Sequence, residues 1–365
     1  MASIVKKALG DGSAAYLVRF RTVDGKQRSK QFSRKKDAEA FAARTETEKH
    51  TGQFVDPRLG KITLNEWVDQ WWPTVTNLRP STRERDDMYM RRHIRPTFGT
   101  TPIASIDRTT IREWLAMLLE HEDKKLAPAT VHKVSQILNK ALRAAQEDRL
   151  ISANPAERMS LPKIEREEMR FLNAAEVHRL ADAIDPRYRG FVLLGGYGGL
   201  RLGEMLALQV GRVDAARQRV RVTETLVDLN GYQTIGPPKT RAAVRTVTVP
   251  TFVIEALNLE GRAPTDFAFE SPEGGAVRGS SWRRRFWRPA TLTAQVAPLR
   301  IHDLRHTAIS LWIAAGANPK QVAVRAGHSS VSVVFDRYGH LYEDQDAPLL
   351  AALEAGATNV SRLGA

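Results

Sequence analysis

Two interruptions set the terms on which this chain can fold. The segment Thr51 to Gly60, with Gly52, Pro57 and Gly60, reads as a linker. The charged stretch Lys163 to Arg170, after Asn154-Pro155, reads as a hinge. Three modules are therefore expected, and 365 residues at roughly 100–200 per domain allow two or three. With 42% hydrophobic residues the chain can bury real cores, which excludes wholesale disorder. It contains no cysteine, so disulfides, a cysteine nucleophile, Fe–S clusters and thiolate zinc sites are excluded. No apolar run approaches the roughly 18 residues of a spanning helix. Met1 to Gly10 lacks the apolar stretch of a signal peptide. The expectation is a basic cytoplasmic protein with no membrane partner.

A balance of 55 Lys+Arg against 41 Asp+Glu, net +14, attracts polyanions, of which nucleic acid is the commonest. The excess is uneven. Residues 1–60 hold 13 basic and 7 acidic side chains, residues 61–164 hold 17 and 13, and residues 165–365 hold 25 and 21. The front segment is thus an anion-seeking module of its own. Tyr16, Val18 and Phe20 alternate with polar neighbours as in a half-buried strand, and Asp24-Gly25 is a hairpin signal. Lys26, Arg28 and Lys30 then recur every second residue, aligning three cations on one strand face. Ser33 is the expected N-cap of a helix running to about Lys49. Such a basic sheet backed by a helix fits a DNA major groove, with Arg19, Lys26, Arg28 and Lys30 as candidate contacts. A solvated edge hairpin is the alternative.

The middle segment is helical. Leu64, Trp67, Val68, Trp71 and Trp72 form one apolar stripe, which reads as core rather than as stacking platforms for bases. A second helix follows Pro80-Ser81 and carries Arg83, Arg85, Arg91, Arg92 and Arg95, either gripping phosphates or making a solvated face. Asp107 caps a third helix, with Ile111, Trp114, Leu115 and Leu118 inside. A fourth, from about Ala129 to Glu147, buries Val131, Val134, Ile137, Leu138, Ala141, Leu142 and Ala145. From Phe171 helix and strand mix. Asn173 and Glu176 make a capping-box start, and the run Phe191 to Tyr197 is expected to be buried. Two strands around residues 219–235 are expected to meet at Asn230-Gly231, with a third over Arg245 to Val249 and helices from Thr251 onward.

Some familiar chemistry fails on inspection. Gly195-Gly196-Tyr197-Gly198-Gly199 matches neither GxGxxG nor GxxxxGK[ST], and reads as a helix end packed closely on a turn. His302 and His306 have the i, i+4 spacing of a zinc pair. Arg305 lies between them, however, and a guanidinium repels a divalent cation, so no metal site is assigned. Phosphoryl transfer uses more of these residues at once. It needs fixed positive groups around two non-bridging oxygens, and the planar, permanently charged arginine fork supplies them. Arg201 stands at a turn into a helix with Glu204 three residues on, where the carboxylate can orient a basic side chain. His302 and Arg305 share a helix face, near a helix start that favours anions. Asn318-Pro319 opens another helix, Gly327 closes it, and His328 follows. Tyr338 lies ten residues beyond, and Lys239 sits on a loop leading into a strand.

Taken together, GLRLGE at 199–204, PPKTRAAVRTV at 237–247, HDLRH at 302–306, GHSS at 327–330 and DRYGHL at 336–341 resemble the tyrosine recombinases, the phage-integrase family. The likeness is strong from about 170 to 345 and looser before. It implies a multidomain, mainly α protein with small antiparallel β-sheets. The expected parts are an arm-site DNA-binding domain of sheet and helix (1–55), a four-helix core-binding domain (61–160), an α+β catalytic domain (165–345) and a C-terminal tail (346–365).

By position the resemblance makes Tyr338 the nucleophile that forms a 3′-phosphotyrosyl link and frees a 5′-hydroxyl. Arg201 and Arg305 would bind the non-bridging oxygens, Lys239 would protonate the leaving 5′-oxygen, His302 would assist proton transfer and His328 would hydrogen-bond the phosphate. Glu204 and Asp303 are supporting residues, and His306 is assigned to helix packing. Arg83, Arg91 and Arg92 join the DNA-binding candidates. Gly203 departs from the small hydroxyl residue common there, and Tyr342 is a rival nucleophile disfavoured by its context.

The implied activity is site-specific recombination that integrates or excises a phage or mobile element, with no cofactor. The partners would be double-stranded DNA at core and arm sites, a homotetramer on that DNA, and an accessory bending or directionality factor, in the nucleoid-associated cytoplasm of a bacterial host. Leu341, Leu349, Leu350 and Leu353 give the tail an apolar stripe that would dock on a neighbouring protomer or on its own. Two other readings are a type IB topoisomerase-like enzyme and a non-catalytic DNA-binding regulator. The basic N-terminal module speaks against the first, and the full set of polar residues against the second.

Overall fold

The computed structural model describes residues 2–8, 14–22, 25–50, 54–56, 58–120, 125–165, 169–229, 232–238, 240–342, 350–351, 353–355 and 357. The chain divides into two compact units, Met1–Arg166 and Glu167–Ala365. The charged stretch at 163–170 therefore spans a unit boundary, whereas the stretch at 51–60 does not. Phe54 is buried against Phe20, with ring centroids 5.8 Å apart, and a Cβ on Gly60 would lie 2.6 Å from that of Ala104. The described part of this expected linker is packed at Phe54 and at Gly60. Among the described residues no helix is long and apolar enough to cross a membrane.

The first unit opens with strands β1 (Ser3–Ala8), β2 (Ala14–Arg21) and β3 (Gln27–Phe32), antiparallel in that order. Val18 and Phe20 of β2 are buried with Ala38 of helix α1 (Lys35–His50). Gly25 takes a left-handed φ of +82°, while its neighbour Asp24 lies outside the described residues. Helix α1 starts later than Ser33: the Arg34 carbonyl accepts from Ala38 N–H at 3.3 Å, which makes Arg34 the capping residue.

The register corrects the expected basic face. Lys30 pairs with Val18 and Arg28 with Phe20, and directly paired antiparallel residues project to the same side of a sheet. The alternation that buries Val18 and Phe20 therefore puts Arg28 and Lys30 on the helix side. There the Lys30 ammonium lies 4.8 Å from the Phe41 ring centroid of α1, and Arg28 Nε is 3.5 Å from Asp56 Oδ2. Lys26 precedes the strand in the same phase. Arg19, one residue out of phase, is exposed on the opposite face with Arg21.

The helical part follows its apolar periods. Helix α2 (Leu64–Trp71) starts in a Thr63–Glu66 capping box. The chain continues through α3 (Pro80–Tyr89), a π-helical turn at Met90–Ile94 and α4 (Arg95–Phe98), then α5 (Arg108–Glu120) and α6 (Pro128–Glu147). Asp107 accepts from the backbone of Thr109 and Thr110 at the head of α5. Every apolar residue expected inside α5 and α6 is buried. Trp67 is core, its indole N–H donating to the Ala141 carbonyl at 2.8 Å, while Trp71 and Trp72 pack at the margin.

The second unit begins with α7 (Ala174–Ala183), capped by Asn173 and Glu176, then α8 (Arg189–Leu193), a π-helical turn at Leu194–Gly198 and α9 (Leu202–Leu206). Residues 219–235 hold three strands where two were expected. Strand β4 (Val213–Asp214) and β5 (Arg219–Val222) join β8 (Arg245–Thr248) in a sheet ordered β4-β5-β8, while β6 (Thr225–Leu229) and β7 (Tyr232–Gly236) form a separate hairpin. The chain leaves one sheet at Thr223-Glu224 and enters the other, and the Asn230-Gly231 tip lies outside the described residues. Helices α10 (Thr251–Ala256), α11 (Gly279–Trp282), α12 (Arg288–Thr293), α13 (Ile301–Ala314), α14 (Pro319–Ala326) and α15 (Ser332–Tyr338) complete the unit. Helix α13 lies between two cores. Leu304 belongs to the larger one with Phe191 and Val247, and Ala308, Ile309 and Trp312 to a smaller one with Val322, Val334 and Tyr338.

The two faces of the N-terminal sheet should respond differently to truncation. Lys30→Ala removes a cation packed on Phe41 and is expected to lower the unfolding free energy by about 0.5–1 kcal/mol. Arg19→Ala, on the open face, should change it by less than about 0.5 kcal/mol. Urea unfolding of both variants checks the register, and equal effects would contradict it.

Candidate active site

The glycines before Arg201 work by close approach. A Cβ on Gly195 would lie 2.7 Å from Leu304 Cδ1, and one on Gly199, whose φ is +65°, would lie 2.6 Å from the Trp312 ring. Their absence lets the turn lie against α13, and the Gly199 carbonyl then accepts from Arg305 Nη1 at 2.6 Å. Arg201 stands at the head of α9, where its N–H donates to Glu204 Oε2 at 2.9 Å and its Nη1 to Oε1 at 2.7 Å. Gly203 has no room for a hydroxyl-bearing side chain, since a Cβ there would be 2.5 Å from Thr225 Oγ1.

Helix α14 supplies the other anchor. Asn318 and Gln321 make its capping box, and Gly327 ends it with a φ of +66°. Carbonyls at a helix C-terminus carry partial negative charge and lack partners within the helix. Here Ala326 O accepts from Arg305 Nη2 at 2.5 Å and Gly327 O from Arg201 Nη2 at 3.2 Å. One helix end thus holds both guanidiniums.

A third arginine, which sequence reasoning missed, completes the network. Arg245 is buried, and its Nη2 meets Glu204 Oε2 at 3.1 Å while its Nε donates to the Arg325 carbonyl at 2.7 Å. It lies within PPKTRAAVRTV, but only the fold brings it to Glu204. Burial alone would raise the Glu204 carboxyl; Arg245 and Arg201 overcome it and hold the group below the usual carboxylate range. Burial, then Arg201 and Arg245, lowers Arg305 to about 9, still a cation at neutral pH.

These elements converge on a cleft of about 270 Å³ lined by Arg201, His302, Arg305, His306, His328 and Tyr338, with Thr240 and Arg337 at its wall. Five of the six residues expected to be catalytic therefore meet; Lys239, beside Thr240, lies outside the described residues. Tyr338 ends α15 and is 1% exposed. Burial pushes its phenol up to about 12, although Arg305 and Arg337 oppose the shift. Its hydroxyl is 2.6 Å from His306 Nδ1, a contact that the assignment of His306 to packing did not foresee. The rival Tyr342 donates to the Ala317 carbonyl at 3.2 Å instead. Asp303 bonds Arg300 at the head of α13, so it supports the helix start. Among the described residues no group of three or more His, Asp or Glu is placed to share a metal ion.

The candidate DNA contacts of the helical part fare unevenly. Arg83 is half-buried: its fork donates to the Val75 and Trp72 carbonyls at 2.6 and 3.0 Å and lies over the Trp72 ring. Arg91 pairs with Asp87 at 2.9 Å, and Arg92 is exposed.

A mainly helical unit with two small sheets, whose cleft sets a tyrosine hydroxyl beside anchored arginines and histidines, defines a tyrosine recombinase. Residues 170–345 match the phage integrase family, and residues 63–119 match the phage integrase N-terminal SAM-like domain. The chain belongs to the phage integrase family. It is 26% identical over 345 residues to a prophage phiRv2 integrase of Mycobacterium tuberculosis, covering 90% of this chain and 89% of that one. It is 24% identical over 294 residues to the ICEBs1 integrase of Bacillus subtilis, covering 76% and 78%. The Tn1549 transposon integrase in complex with a circular intermediate DNA shares the fold at 22% identity and a TM-score of 0.68, over 80% of this chain and 99% of that chain.

Breaking the buried carboxylate network should be costly. Glu204→Gln leaves two guanidiniums without their counter-charge and is expected to lower the unfolding free energy by about 3 kcal/mol; an unchanged urea midpoint would contradict the network. A pH effect follows from the histidines. Burial first, then neighbouring charge, lowers His306 and His328 to about 4 from an unfolded value of 6.5. As pH falls through 6.5 the unfolded chain takes up protons that the folded chain does not accept until about 4. These histidines therefore leave stability level above pH 6.5 and lower it from there toward 4, a slope that His306→Asn should reduce in urea unfolding.

Proposed function

We propose that this recombinase cuts and rejoins DNA through a 3′-phosphotyrosyl intermediate on Tyr338. The observation that carries this is the convergence of Arg201, His302, Arg305, His328 and Tyr338 on one cleft. A scissile phosphate in that cleft places its non-bridging oxygens against Arg201 and Arg305, whose charge is fixed before reaction and needs no reorganisation. His328, neutral at working pH, hydrogen-bonds the same group. The bond from Tyr338 Oη to phosphorus forms as the bond from phosphorus to O5′ breaks. The phenol proton passes to the His302 imidazole, and Lys239 gives a proton to O5′. The covalent link retains the phosphodiester energy, so rejoining is the reverse attack by a 5′-hydroxyl.

The N-terminal sheet is read as the arm-site module, with its contact surface moved to the face away from α1. The register that puts Arg28 and Lys30 on the helix side puts Lys7, Arg19 and Arg21 with Gln27, Ser29 and Gln31 on that outer face. These side chains suit phosphates and base edges. Binding of two DNA sites by four protomers, help from a DNA-bending or directionality factor, and action on nucleoid DNA in a bacterial cytoplasm complete the reading.

A duplex nicked near the cleavage point lets the cut fragment diffuse away and traps the adduct. Wild-type protein should accumulate a covalent protein–DNA species, and Tyr338→Phe none. Arg201→Ala or Arg305→Ala should slow its formation by about 10²–10³-fold. Adduct formation by Tyr338→Phe would sink the assignment.

A further inference from the structure

His306 follows Arg305 on α13 and is 5% exposed. It meets His302 edge-on, with centroids 4.9 Å apart, and its Nδ1 is 2.6 Å from the Tyr338 hydroxyl. The phenol has little other freedom. Tyr338 packs in the core of Ile309, Val322 and Val334, and the Phe171 ring lies 6.3 Å from its own. Among the described residues His306 is the hydrogen-bond partner of this buried hydroxyl, which takes its direction from it.

Resting on the reading of Tyr338 as nucleophile, we propose that His306 is a positioning residue: its Nδ1 accepts the Tyr338 O–H and fixes the phenol oxygen toward the arginine-lined cleft. Its role is geometric and not that of a base. Burial, then His302, keeps the imidazole near 4, and burial keeps the phenol near 12, so the proton rests on the tyrosine and the neutral ring serves as a fixed acceptor. The arrangement also explains why a tyrosine within a packed core points its one polar atom into a cleft. The apolar side chains around the ring fill space, and the hydrogen bond selects the direction of the hydroxyl. Without an acceptor at position 306 the hydroxyl must seek another partner and leave its place.

The test measures single-turnover adduct formation on the nicked duplex, with DNA affinity and melting temperature taken in parallel. In asparagine the amide oxygen can stand where Nδ1 stands; in glutamine it reaches the Nε2 position; leucine has none. His306→Leu should form the adduct about 100-fold more slowly at saturating DNA, with affinity within about twofold of wild type. His306→Asn should recover most of that rate, and His306→Gln little of it. Wild-type cleavage by His306→Leu would overturn the proposal. So would equal rates for the Asn and Gln variants, a comparison that stands even if the Leu variant fails to fold. Absence of adduct from the wild-type protein would remove the nucleophile assignment itself, and the positioning role with it.

Discussion

The buried carboxylate of Glu204, held between Arg201 and Arg245, is the interaction on which the cleft depends. Two guanidiniums within reach of one another repel, and burial makes that repulsion larger because less solvent screens it. A single anion between them makes the arrangement stable and fixes the direction of Arg201, while Arg245 ties the same carboxylate to β8 and to the Arg325 carbonyl of α14. The end of α14 then accepts from one guanidinium nitrogen each of Arg201 and Arg305. Positive charge is thereby concentrated in the cleft, with the guanidiniums held in place by backbone carbonyls.

Helix α13 carries this arrangement into the hydrophobic cores. It is buried along most of its length, and its neighbours on the two sides differ. Leu304, Ala308 and Trp312 meet the glycine turn that presents Arg201, and Ala308, Ile309 and Trp312 also pack with the elements that carry Tyr338. Arg305 and His306 lie between Leu304 and Ala308, and His302 lies one turn before them. The glycines at 195 and 199 matter for steric reasons, since any side chain there would push the turn off α13 and separate Arg305 from the Gly199 carbonyl.

Much of this was legible in the chain. The apolar period of α5 and α6, the caps at Asp107, Asn173 and Asn318, and the order of the five motif boxes each follow from local chemistry: 3.6-residue spacing, side chains that satisfy free N–H groups, and residue types suited to phosphate. Other features depend on what meets what. Arg245 reads in sequence as one more arginine before a strand. Arg83 reads as a phosphate contact, yet the preceding turn places two carbonyls and the Trp72 ring beneath it. His306 reads as packing until Tyr338, 32 residues on, arrives at its Nδ1.

The basic N-terminal strand shows the division most clearly. Sequence alone determined that Lys26, Arg28 and Lys30 share one face, because side chains in a strand alternate with a period of two. It determined equally that Tyr16, Val18 and Phe20 share one. Whether those two faces coincide depends on the pairing register, which only the folded sheet decides. The pairing of Lys30 with Val18 put them on the same side, turned Arg28 and Lys30 toward α1, and left Arg19 and Arg21 outward. The same holds for the cleft: the chain fixed which groups were present, and the packing of α13 against α14 and the glycine turn decided which of them meet.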